Sequence, residues 1–77
     1  MAIFHIEGSG LIQTDELPSG DMTVKHTGRG LVFDIVNESC GNGRGYWNEP
    51  YKNWIVFKQF ATQVLTEFEA KGKRIEQ

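Results

Sequence analysis

Along the first three quarters of the chain, apolar and polar positions alternate with a period of two; near the end the period lengthens to about 3.6. In Met22 to Thr27, Met22, Val24 and His26 fall on one side and Thr23, Lys25 and Thr27 on the other, which predicts a strand. Gly28-Arg29-Gly30 predicts a tight turn into Leu31 to Asn37, a β-branched and aromatic run setting Leu31, Phe33 and Ile35 against Val32, Asp34 and Val36. The two runs read as a hairpin. Glu38 to Gly45, with three glycines, reads as a loop. Tyr46-Trp47 and Lys52 to Phe57 supply the remaining strand material around Asn48-Glu49-Pro50.

From Asn53 to Gly72 a strand pattern passes directly into a helix. Ala61, Val64, Leu65 and Phe68 follow the i, i+3, i+4, i+7 spacing of one stripe, with Phe57 and Phe60 at its entrance. Gly72 is expected to end the helix in the left-handed conformation, and Lys71, Lys73 and Arg74 complement its dipole. No good capping residue precedes its start. Upstream, Ala2 to Glu7 alternates loosely enough for a short first strand, while Gly8-Ser9-Gly10 and Leu17-Pro18-Ser19-Gly20 read as turns or a mobile arm. The expected organisation is an acidic N-terminal arm over 1–21 and one domain over 22–77. That domain is α+β: an antiparallel four-stranded sheet followed by one C-terminal helix, β-β-β-β-α. With Ile55 and Phe57 turned toward the helix, Trp54 and Val56 point away from it.

At 77 residues a single core is marginal, and the single cysteine, Cys40, permits neither an internal disulfide nor a zinc ligand set. Oligomerisation is the remaining source of stability, and a homodimer is expected to form partly through Phe60, Val64 and Phe68. Cys40 reads as a loop thiol in a reducing cytosol. MAIFHIEG shows neither a signal-peptide pattern nor a membrane span, so a cytoplasmic or nucleoid-associated location and no membrane partner are expected.

The net charge of −2 argues against a uniformly basic nucleic-acid binder, but the charges are unevenly distributed. Met1 to Asp21 holds Glu7, Asp15, Glu16 and Asp21 with no Lys or Arg. Met22 to Lys58 holds Lys25, Arg29, Arg44, Lys52 and Lys58 against Asp34, Glu38 and Glu49.

The glycine loop CGNGRGYW lacks the spacing and following helix of a phosphate-cradling loop, and reads as a hairpin loop whose Arg44 is placed to clamp a backbone phosphate. His26 reads as a structural histidine, His5 is unaccompanied, and Asp34, within an apolar strand, reads as readily as a paired structural carboxylate as a functional one. No carboxylate pair or nucleophile elbow supports catalysis, and no cofactor or metal is expected. What remains is an interleaving of aromatic and basic residues: Lys25, Arg29, Arg44, Tyr46, Trp47, Lys52 and Trp54. Single-stranded nucleic acid calls for this mixture, since bases stack on rings while phosphates need cations. The same rings also suit a core or a dimer interface.

The strand MTVKHT, the turn Gly28-Arg29-Gly30, the strand LVFDIV, the pair Tyr46-Trp47 and the strand WIVF before the final helix together resemble the positive cofactor four family of single-stranded-DNA-binding transcriptional coactivators. The resemblance covers roughly Met22 to Phe68. It implies a curved four-stranded sheet with a C-terminal helix on its convex side, and homodimers that grip single-stranded DNA. It places Lys25, Arg29, Trp47, Lys52 and Trp54 among the binding residues. The resulting expectation is a non-enzymatic single-stranded-DNA-binding protein serving replication, recombination or transcription, with proteins of replication or transcription as further partners. Its rival is a small protein-interaction module, such as a phage-type inhibitor of a host protein, that uses Trp47 and Trp54 as anchors.

Overall fold

The acidic stretch expected to be an arm forms two strands of the sheet. The computed structural model describes residues 2–75; Met1, at the start of the expected arm, and Glu76 and Gln77 at the end of the expected domain lie outside them. Alternation in both segments drives strand formation: Ala2, Phe4 and Ile6 are buried in β1 (Ala2–Ile6), and Ile12 and Thr14 in β2 (Gly10–Glu16). The remaining elements are β3 (Met22–Gly28), α1 (Leu31–Cys40), β4 (Gly45–Asn48), β5 (Asn53–Val56), α2 (Lys58–Lys71) and β6 (Lys73–Ile75). All pairings are antiparallel, in one six-stranded sheet of order β4-β5-β3-β2-β1-β6. The class remains α+β, but among the described residues six strands and two helices replace the expected four strands and one helix.

The largest correction is α1. Its buried residues are Val32, Ile35, Val36, Ser39 and Cys40, spaced i, i+3, i+4, i+7, i+8, so the run expected to be a strand follows the helical period instead. Tertiary burial overrides the β preference of its valines and isoleucine. Leu31 and Phe33, expected on one strand face with Ile35, are 56% and 51% exposed.

Both helices begin without a local capping side chain. For α1 the partner comes from the β1–β2 turn: Ser9 Oγ accepts the Val32 N–H at 2.9 Å and donates to the Arg29 carbonyl. Gly28, at φ +94°, passes so close to the Ser9 carbonyl that a Cβ would lie 2.1 Å from it, so glycine is what allows the two turns to approach. For α2 the partner comes from the end of the β2–β3 turn, where Asp21 Oδ1 accepts the Lys58 N–H at 3.0 Å. Each contact satisfies an otherwise orphaned N-terminal donor, and Asp21 also places negative charge at the positive end of the dipole.

The far end of α1 is tied by a polar joint. Arg44 donates to both oxygens of Glu67 on α2 at 2.9 Å and to the Ser39 carbonyl at 3.3 Å, while the Ser39 hydroxyl donates to Glu67 Oε1. Beside this joint Cys40 is fully buried. Burial pushes its thiol pKa up to about 12, the Arg44 charge pulling it down and Glu67 raising it.

α2 keeps its expected stripe, with Val64 and Phe68 completely buried and Phe60, Ala61 and Leu65 packed partly against the core. Phe68 meets Phe4 edge-to-face at 5.7 Å. Gly72 is extended, not left-handed (φ −141°). A Cβ there would lie 2.5 Å from Ile6 Cδ1, so the residue is glycine because the chain passes close to β1 on its way into β6. Among the described residues no helix is long and apolar enough to cross a membrane.

Ser9→Ala and Asp21→Ala should each lower stability by about 1 kcal/mol, the usual scale of a lost helix cap, read from the urea midpoint; unchanged midpoints would show that the remote caps contribute nothing. Cys40 should resist a thiol reagent at pH 8 until the protein opens. Its raised pKa also sets a pH dependence. Below the ordinary value of 9.0 both folded and unfolded thiols are protonated and the contribution is complete; as pH rises from there toward 12 the unfolded thiol ionises first and stability falls. Urea midpoints at pH 8 and 10.5 should therefore drop less for Cys40→Ala than for the native chain.

Candidate nucleic-acid interface

The strand register assigns each candidate side chain to a face. Val24 in β3 is opposite Trp54 in β5, and Trp54 is opposite Trp47 in β4. Directly opposed residues share a face, and Val24 is fully buried beneath the helices, so both tryptophans project on the helix side. Trp54 therefore does not point away from the helices as the alternation argument required. On the bare side the register aligns Thr23, Ile55 and Tyr46, and pairs Lys25 with Gln13. Ile55 is only 5% exposed yet stands outside the core cluster, consistent with a small packing site on the bare face beside Tyr46 and Phe57, whose rings lie 6.0 Å apart.

The seven candidates thus divide. Lys25 and Tyr46 lie on one face, Trp47 and Trp54 on the other. Arg44 is committed to Glu67 and Ser39 with its side chain only 24% exposed. Arg29 is exposed in the turn between β3 and α1, and Lys52 sits in the β4–β5 hairpin turn. Val64 and Phe68, expected at a dimer interface, are consumed by the chain's own core; of that trio only Phe60 keeps some exposure.

On the helix side the structure adds two rings that the sequence reading set aside. His26 lies two residues along β3 from Val24, hence on the same face and diagonal to Trp54. Phe33, from the first turn of α1, meets the His26 ring edge-to-face at 5.9 Å. Trp47 and Trp54 meet in the same manner at 6.0 Å. Phe33–His26 and Trp54–Trp47 therefore form two ring pairs, diagonal to each other on the helix side, that make a strip of four rings from α1 across β3 and β5 to edge strand β4. Phe33 and Trp47 expose about half their surface, and Tyr51, 73% exposed, stands in the adjacent hairpin turn. Phe33 was hidden by the strand reading of α1; once the helical period is recognised, an aromatic residue off the buried stripe is the available signal.

The charges at the Trp47 end are already engaged. Glu49 Oε2 accepts the Trp47 indole N–H at 2.7 Å, and Glu49 Oε1 accepts from the Lys52 ammonium. Lys52 first and Trp47 second hold the Glu49 carboxyl below its usual pKa. Lys52 adopts a left-handed backbone (φ +56°), which curls the turn back on itself and carries this ion pair.

Two open depressions lie elsewhere. One, about 300 Å³, is lined by Asp15, Glu16, Thr62 and Arg74; the other, about 380 Å³, by His5, Glu7, Lys71 and Lys73. Among the described residues no group of three or more His, Cys, Asp or Glu is arranged to hold a metal ion. In comparisons with known proteins, no family model, no curated protein and no solved structure matches this chain.

Proposed function

We propose that this chain is a non-enzymatic, weakly sequence-selective single-stranded-DNA-binding protein, serving replication, recombination or transcription. The observation that carries the reading is the four-ring strip of Phe33, His26, Trp54 and Trp47, with Lys52 at one end and Arg29 in the turn leading into α1. The exposed rings of Phe33 and Trp47, with the part-buried His26 and Trp54 between them, offer stacking surfaces to unpaired bases, whereas a duplex hides those base faces. Cations beside them meet the phosphates. The reading rests on this strip and not on the likeness to positive cofactor four, whose four-stranded sheet and single helix this chain does not have.

A second reading, a protein-interaction module, is favoured by one observation. Leu31 and Phe33 are both more than half exposed at the start of α1, and Arg44 and Lys52 already have carboxylate partners. Aromatic anchors with few free cations suit a protein partner.

Fluorescence anisotropy with oligo-dT, oligo-U and duplex DNA separates the two. The expected result is tighter binding of single strands than of duplex, with a shallow log-log salt slope. Phe33→Ala and Trp47→Ala should each weaken binding by about 1 to 3 kcal/mol, the general scale for base stacking on an aromatic ring. Lys25→Ala and Tyr46→Ala, on the opposite face, should leave it unchanged. Equal affinity for duplex and single strand, or no binding at low salt, would favour the protein-partner reading; losses at Lys25 and Tyr46 instead would move the site to the bare face.

A further inference from the structure

The β4–β5 hairpin turn holds an anion on two donors that suit a phosphate. One carboxylate oxygen of Glu49 takes the Trp47 indole N–H and the other takes the Lys52 ammonium. Neither donor is sealed: the Lys52 side chain is 70% exposed and Trp47 44%, so an external oxyanion can reach them. The site also adjoins a stacking surface, because the indole that donates to Glu49 is the same ring that meets Trp54. A nucleotide uses both kinds of contact, a ring for its base and a hydrogen-bonding cation for its phosphate.

We infer that Glu49 occupies the position of a nucleic-acid phosphate, and that Trp47 Nε1–H and Lys52 Nζ form a phosphate subsite which single-stranded DNA enters by displacing the Glu49 carboxylate. The inference rests on the single-stranded-DNA reading for its ligand, but the subsite itself is defined by these three residues. Two consequences follow from the exchange. The free protein satisfies its own subsite, so each binding event must break an ion pair before making one, and affinity is lowered. Lys52 is neutralised in advance and the displaced Glu49 is left as an unpaired anion, so net counterion release per complex is smaller than the cation count implies. Glutamine at position 49 retains an acceptor for the indole but gives up the charge that holds Lys52.

The test uses the full chain in two arms. In the first, fluorescein-labelled oligo-dT is titrated by anisotropy over a range of salt concentrations. Glu49→Gln should tighten binding about five- to tenfold at low salt and steepen the log-log salt slope by about 0.7, one additional single-strand phosphate contact. The gain should vanish when Lys52→Ala is added. Unchanged affinity and slope in Glu49→Gln, with both proteins binding the oligonucleotide, would overturn the inference and leave the DNA reading standing.

In the second arm, inorganic pyrophosphate is titrated while tryptophan emission is followed. Glu49→Gln should give a saturable response, absent from Glu49→Gln/Lys52→Ala; no response in Glu49→Gln would overturn the subsite. If pyrophosphate saturates Glu49→Gln while oligo-dT binds neither protein, the subsite holds and the DNA reading fails.

Discussion

The two helices are fixed by hydrogen bonds that their own sequences do not supply. A helix leaves its first N–H groups without internal partners, and burying them unpaired costs free energy. Ser9 and Asp21 meet that need from the turns at either end of β2, at sequence distances of 23 and 37 residues. The β1-β2-β3 meander is therefore a frame whose turns carry the docking points of both helices. The Arg44–Glu67–Ser39 joint then ties the end of α1 to α2, so α1 is held at both ends by side chains outside it.

With its two ends fixed in this way, α1 lies over β3, β2 and part of β5 and leaves β4 uncovered. The ring strip follows from that incomplete cover. Trp54 is partly buried against the core, Trp47 lies at the open edge, and Phe33 projects from the helix flank beside His26. A wider or longer first helix would have buried the strip as core. The site is thus where the helical layer ends before the sheet does.

Much of this was legible from residue pattern. The alternation of Met22, Val24 and His26, the strand material on either side of Asn48-Glu49-Pro50 and the Ala61, Val64, Leu65, Phe68 stripe all reappear in the structure. The run LVFDIV was not legible because its apolar residues satisfy both periods, and only Ser39 and Cys40, read as loop, extend the helical one. The facing of Trp54 failed for a different reason: β5 buries both Ile55 and Val56, one on each face, so burial alone does not tell which side meets the helices. The remote caps carry no local signature, since Ser9 and Asp21 look like ordinary turn residues until the tertiary structure brings them to a helix end.

The pairing of β6 with β1 joins strands from opposite ends of the described chain. Until residues 73–75 are in place, β1 presents a full row of unpaired backbone donors and acceptors, a template to which another chain can add. The short strand that closes this edge carries Lys73 and Arg74. Three residues carrying Lys73 and an Arg74 paired to Glu69 make a poor seed for a further strand, so this edge of the sheet ends in a short charged border. The last strand of the described chain thus covers the edge that its first strand would otherwise leave open.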